Sequence, residues 1–242
     1  MKPLSMVVFV SAAVLAAPRT SSPANCLVVS KSSSSSGQYR TIQAAVAALS
    51  TTATVPQCIF IQPGTYSEQV LIPATLKSPL SVYGSTADDT SYKANSVTIT
   101  SKLAQADGLS NDETGTLRVK TKEGFRLYNV NVNNGYGKGS QAVALSVQVD
   151  SGYYGCSFTG FQDTLLANEG KQIFARCLVQ GATDFVFGRR GISCEPSTPS
   201  PSSILCVFWA SSGWLGMLTR RSGFEGTDVR VVSSSIGYVT GK

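Results

Sequence analysis

Histidine is missing altogether from the 242 residues. That excludes a Ser-His-Asp or Cys-His triad and the usual imidazole-containing metal sites. Acid–base chemistry near neutral pH must then run on Asp, Glu, Lys, Tyr or Cys. Charge is sparse: Asp, Glu, Lys and Arg make up 14% of the chain beside 22 glycines, a balance that favours a β-rich body with many turns over a helical bundle. No Asn-x-Ser/Thr sequon occurs, so N-glycosylation is not expected. No apolar run is long enough to span a membrane. No segment interleaves Lys or Arg with aromatics and no basic block occurs, so no nucleic-acid partner is expected. The net charge of +6 suits an acidic partner, an acidic polysaccharide among them.

Residues 1–17 have the pattern of a secretory signal peptide. Lys2 supplies the positive start, Met6 to Val14 the apolar core, and Ala16 or Ala17 a small residue before cleavage. A secreted, extracellular, soluble protein is expected. Residues 18–38 form a polar linker that contains the serine run Ser32–Ser36. In the segment that follows, Ile42, Ala45, Val46 and Leu49 fall at i, i+3, i+4 and i+7 behind Thr41 as N-cap. This predicts a short amphipathic helix. From there on, short strand-like runs recur, bounded by Gly, Asn, Asp, Ser or Pro: 58–61, 70–72, 80–83, 97–100, 116–119, 127–132, 143–147, 154–158 and 173–179. Phe60 and Tyr66 read as core.

The strongest internal signal is a repeat of 21 residues. Cys156 matches Cys177, Gly160 matches Gly181 and Asp163 matches Asp184, while Gln141 precedes Gln162 by the same interval. A period near 20 with short strands points to a stacked solenoid, whose equivalent residues lie about one strand spacing apart, roughly 4.8 Å. The expected architecture is therefore an all-β parallel β-helix over 39–190, with the N-terminal helix capping its open end. The equivalent positions Val130, Cys156 and Cys177 show a first interval of 26 residues, which implies a longer loop on that coil. Stacked cysteines come within disulfide range, so Cys156 and Cys177 are either bridged or a ladder of free thiols; Cys26, Cys58, Cys194 and Cys206 have no evident partners.

Beyond Gly188 the pattern collapses. Residues 191–223 hold both tryptophans, three prolines and a single acidic residue, Glu195. The repeat resumes over 224–242, with Thr227 at the cysteine position and Ser234 at the aspartate position. The segment 191–223 is then an insert, either a surface loop or translated non-coding sequence. The chain stops at Lys242, one coil after the paired aspartates, so a truncated solenoid is expected.

A lone Asp after Gly in such a turn is often only a turn former. Two in register, beside Gln141 and Gln162, suggest more. Paired carboxylates drive their pKa values apart, which leaves one as acid and the other as base or nucleophile. Neighbouring amides can hold an oxyanion, which favours acyl chemistry over glycoside hydrolysis. Phe161, Phe185 and Phe187 would dry the site and line it for substrate.

The runs Gly160-Phe161-Gln162-Asp163-Thr164-Leu165 and Gly181-Ala182-Thr183-Asp184-Phe185-Val186-Phe187-Gly188 resemble the paired signatures of the pectin methylesterases, fungal branch most of all. Gly64-Thr65-Tyr66-Ser67-Glu68, Gln141-Ala142-Val143-Ala144-Leu145 and Thr41-Ile42-Gln43-Ala44-Ala45-Val46 are similar to further family motifs. The resemblance implies a right-handed parallel β-helix, a monomer, and hydrolysis of the methyl esters of polygalacturonate without metal or cofactor. In it Asp184 would be the nucleophile and Asp163 the acid and then the base, while Gln141 and Gln162 would hold the oxyanion. The family's Leu-Gly-Arg-Pro-Trp segment has no counterpart here. Impaired turnover is therefore expected, the alternative being an inactive pectin-binding β-helix fragment. A pectin lyase or glycosidase would want more carboxylates on one face.

Overall fold

The computed structural model describes residues 17–32, 37–189, 192–195, 206–210 and 214–217. The leader over Lys2 and Met6–Val14, and the coil read over 224–242 with Thr227 and Ser234, lie outside them. The described residues wind as a right-handed parallel β-helix built of three sheets. The first sheet stacks Leu27–Val29, Gln57–Ile61, Leu80–Gly84, Phe125–Tyr128, Ser151–Tyr154, Gln172–Ala175 and Ile192–Glu195, with Gln38–Tyr39 at its outer edge. The second stacks Gly64–Ser67, Val97–Ser101, Asn131–Asn134, Ser157–Thr159, Cys177–Gly181 and Cys206–Ala210, and ends on the antiparallel Trp214–Met217. The third stacks Val70–Ile72, Leu117–Val119, Leu145–Gln148, Leu165–Glu169 and Val186–Gly188. Among the described residues no helix is long and apolar enough to cross a membrane.

Three of the sequence runs (127–132, 154–158 and 173–179) each prove to be two strands. They are broken by Asn129, Gly155 and Arg176, which have φ of 53°, 58° and 57°. The left-handed conformation turns the chain from the first sheet to the second, and these three residues occupy the same corner on successive coils. Just after that corner Val130, Cys156 and Cys177 point inward, fully buried. The adjoining strands keep their spacing, since Asn131 pairs with Ser157 and Ser157 with Leu178. The sequence repeat puts Thr227 on the next rung, whereas in the structure Cys206 pairs with Cys177.

The interior is filled by inward-facing residues of all three sheets. Tyr153 is its centre near the C-terminal coils, stacked on Phe174 at 4.6 Å and edge-on to Phe158 at 5.4 Å. Phe60 and Tyr66 are core, as expected. The N-terminal helix α1 (Ile42–Ala47) closes the open end and buries Ile42, Ala45 and Val46. Thr41 caps it by accepting from the Ala44 amide at 3.1 Å. The Glu68 carboxylate accepts from the Ile42 and Gln43 amides, each at 2.9 Å, so the free donors of the first turn are satisfied by a neighbouring coil.

Residues 18–38, expected as a linker, carry the strand Leu27–Val29 and a disulfide between Cys26 and Cys58 with Cα atoms 4.6 Å apart. The bridge follows from register: Leu27 pairs with Ile59, which puts Cys26 beside Cys58. Cys156 and Cys177, the pair suggested by the repeat, are free. Facing the core, they spend their thiols on main-chain carbonyls, Cys156 donating to Leu127 O at 3.4 Å and Cys177 to Tyr153 O at 3.3 Å.

Candidate active site

The turns between the second and third sheets bring the repeat's polar residues together. The Ala142 amide donates to Gln162 O at 3.1 Å and the Asp163 amide to Thr183 O at 3.1 Å. Those bonds place Gln141, Gln162 and Thr183 on consecutive rungs, and Gln162 and Thr183 form a parallel bridge. Asp163 and Asp184 come next in the chain after the second and third of these rungs. The spacing of 21 holds onward into the strands, where Leu165 pairs with Val186. One coil earlier it shortens by one residue, since Leu145 pairs with Leu165. The Thr164 carbonyl absorbs that slip by accepting from both Ala144 and Leu145.

Both aspartates lie in the left-handed region, Asp163 at φ 64° and Asp184 at φ 42°. Asp and Asn tolerate that conformation better than other residues with a side chain, so both are turn formers as well as candidate acids. The turn is tight because Gly181 precedes it. A Cβ there would lie 2.4 Å from Phe185 Cβ and 2.5 Å from Thr164 Oγ1. Phe161 O accepts from both Ala182 and Thr183, fixing one turn on the other.

The two carboxyl groups differ in setting. Asp163 is 6% exposed, while Asp184 is exposed. Burial, and secondly the negative charge of Asp184, push the Asp163 carboxyl up to about 6, against a smaller lowering by a hydrogen bond from the Asn111 side chain. Asn111 comes from the loop between Val97–Ser101 and Leu117–Val119, outside the repeat, and sequence reasoning missed it. The one available signal was the length of that loop. The longer interval read from the sequence is a different loop, 135–144, which delivers Gln141.

Gln141 and Gln162 are partly exposed, as are Phe161 and Phe187. Phe185 is not at the surface: at 4% exposure it belongs to the hydrophobic core, which withdraws it from the substrate-contacting set. Among the described residues the ion pairs are Arg19–Asp89, Arg118–Asp112 and Lys120–Asp112, none reaching Asp163 or Asp184. No cluster of three or more Cys, Asp or Glu suited to a metal occurs among them.

Residues 27–194 match the family model described as pectinesterase. A pectinesterase of Aspergillus niger is 50% identical over 188 residues, 77% of this chain and 55% of its own length. A probable pectinesterase A of Aspergillus fumigatus is 48% identical over 171 residues, 70% of this chain and 50% of its own length. The chain thus spans about half the length of the curated relatives it matches. The crystal structure of the pectin methylesterase from Aspergillus niger superposes with a TM-score of 0.69 at 38% identity, covering 81% of this chain and 70% of that one.

Proposed function

This chain belongs to the pectinesterase family, and from that premise we propose that its site hydrolyses methyl esters of polygalacturonate, releasing methanol. The observation that carries the reading is the unequal pair: a buried Asp163 whose carboxyl stays protonated to about pH 6, next in register to an exposed Asp184. Asp184 attacks the ester carbonyl. The carbonyl π electrons move to oxygen, and the oxyanion is held by the side-chain amides of Gln141 and Gln162. Collapse expels the methoxy group, which takes the Asp163 proton and leaves as methanol. The acyl group is then an anhydride with Asp184. Water attacks it, giving its proton to Asp163, and Asp184 departs as carboxylate. The polymer keeps a free carboxylate, and the net charge of +6 favours such an acidic chain. Phe161 and Phe187 flank the cleft as apolar contacts. The Cys26–Cys58 bridge supports an extracellular location, since disulfides persist in oxidising compartments.

One observation favours a second reading, a catalytically inactive pectin-binding fragment: among the described residues no cation pairs with Asp184 to hold it as the anion. Methanol release from methylated pectin separates the two. We expect impaired but measurable release by the chain, and a further drop of about 10³-fold or more in Asp184→Asn and Asp163→Asn. Asn keeps the left-handed turn in both variants. Retention on pectin without methanol would establish the second reading, and an active Asp184→Asn would remove Asp184 as nucleophile.

A further inference from the structure

The loop from Lys102 to Thr116 runs beside the coil that carries Gln141 and is bonded to it at several points. The Ala106 amide donates to Ser140 Oγ at 3.0 Å, and the Gln105 amide to Gln141 O at 2.9 Å. The Val143 amide donates to Thr114 Oγ1 at 3.0 Å, and Val143 O accepts from the Thr116 amide at 3.0 Å. On its other side the same run is bonded to the next coil. There the Ala142 amide donates to Gln162 O at 3.1 Å and the Ala144 amide to Thr164 O at 2.9 Å. Gln141 thus lies between two rungs, the loop on one side and Gln162 on the other, and the two sets of bonds fix its main chain along the helix axis.

The loop is itself held firmly enough to act as a brace. Asn134, 2% exposed, donates its side-chain amide to Leu103 O at 2.9 Å, Thr114 O at 3.1 Å and Val143 O at 3.0 Å. One buried amide therefore joins both ends of the loop to the run that follows Gln141. Asp112 is clamped onto the third sheet by Arg118 Nη2 at 2.6 Å, Lys120 Nζ at 2.7 Å and Ser146 Oγ at 2.7 Å. Gln69, from the preceding coil, donates its Nε2 to Glu113 O at 2.7 Å and Gly115 O at 2.9 Å. Gln105 Nε2 donates to Asn111 Oδ1 at 2.6 Å, which ties the short turn Gln105–Asp107 to the clamped end of the loop.

We infer that Gln105 is a positioning residue of this site: its backbone N–H, presented by a loop braced through Asn134 and Asp112, fixes the rung from which Gln141 holds the oxyanion. The role of Gln141 in this statement rests on the esterase reading; the brace does not. An oxyanion donor works only when it is in place before charge develops on the ester oxygen, and a displacement of about 1 Å is enough to forfeit much of its effect. Gln162 has a copy of the repeat on either side, through the Ala142 amide on one rung and the bonds from the Asp163 amide to Thr183 O on the next. Gln141 opens the 21-residue repeat and has no copy before it. The loop takes the place of that missing coil.

Gln105→Pro in the full chain tests this. It deletes the N–H and puts a ring carbon where the hydrogen stood, so the loop must part from Gln141 O. The position otherwise accepts proline, since Gln105 opens a 3-10 turn and Ala104 before it is extended at φ −140° and ψ 167°. Gln105→Ala keeps the N–H and removes only the side chain. Gln105→Pro should lower kcat for methanol release about 10-fold or more with KM unchanged, and Gln105→Ala should lose several-fold less. Added to Gln141→Leu, Gln105→Pro should lower kcat no further, because the residue it positions is already gone. Exchange of the Ala142 amide, read by NMR, should quicken in Gln105→Pro more than in Gln105→Ala. If Gln105→Pro does not fold, Asp112→Ala frees the far end of the brace and should move exchange and kcat the same way by less. An Ala142 amide that keeps the parent's exchange rate overturns the inference, even where the chain is an active esterase. So does a loss seen in KM alone, or one that recurs in full on Gln141→Leu, since either would mark a loop that grips substrate or merely supports the fold. Quickened exchange in a chain that releases no methanol upholds the brace and removes the esterase reading instead.

Discussion

The two ends of the described solenoid are built on different principles. At the N-terminal end three devices tie the fold down. A helix closes the core, Glu68 from the Gly64–Glu68 motif caps that helix, and a disulfide ties the leading strand to the next coil. Around Asp163 and Asp184 the reverse holds. A carboxyl is buried beside a second one, and on the same coils two thiols sit in the core unbridged. The comparison teaches where the fold is held and where it is loaded. Stabilising devices mark the cap, and a buried carboxyl marks the place where chemistry is proposed, the usual trade between stability and activity. Because a solenoid's coils contact mainly their neighbours, a change at one end should be felt locally.

The largest effect expected is at the cap. Replacing Cys26 and Cys58 by Ser opens a link between residues 32 apart and should cost about 3–4 kcal/mol in urea unfolding. Hydrogen exchange should quicken in Leu27–Val29 and Ile42–Ala47 and stay unchanged in Leu165–Glu169. A uniform loss of protection along the chain would break the comparison.

A smaller effect, of opposite sign, is expected at the site. The Asp163 carboxyl titrates higher in the folded chain than in the unfolded one, chiefly through burial and then through Asp184. Between about pH 4 and pH 6 the folded state thus binds more protons, and stability falls as pH rises through that window. Asp163→Asn removes this dependence while keeping the left-handed turn. It should therefore match the parent near pH 4 and exceed it at pH 7 by on the order of 1 kcal/mol, after allowance for solvent screening. Thermal unfolding at the two pH values checks this; a variant no more stable than the parent at pH 7 would show that the site carries no load.

What could be read from sequence follows the same division. The repeat carried the register of Gln162, Asp163 and Asp184, and helix periodicity carried Ile42, Ala45 and Val46, because both are periodic and depend on near neighbours in the chain. Phe185 misled because a turn decides which way its ring points, and here Gly181 lets it fold into the core. Asn111 was illegible for a different reason. It lies in a loop that occurs once, so no second copy marks it, and its influence on Asp163 arises only through the stacking of coils. The meeting of Glu68 with Ile42 and Gln43 was hidden likewise, although each lies in a run that resembles a family motif.

The smallest effect concerns the cysteines, which reverse the pattern that stacking alone suggests. Both pairs lie on neighbouring coils, so proximity cannot distinguish them; burial does. Cys26 and Cys58 are partly exposed and can reach an oxidant, whereas Cys156 and Cys177 are sealed in the core, where burial first of all pushes the Cys177 thiol up and keeps it from ionising. Alkylation of the native protein at pH 8 should then leave the peptides carrying Cys156 and Cys177 unlabelled. Unfolding without a reductant should label both, while Cys26 and Cys58 should take label only after reduction. Label on neither Cys156 nor Cys177 in the unfolded, unreduced chain would mean that they are joined. The two ends would then be fastened alike, and the contrast between a tied cap and a loaded site would rest on the carboxyl pair alone.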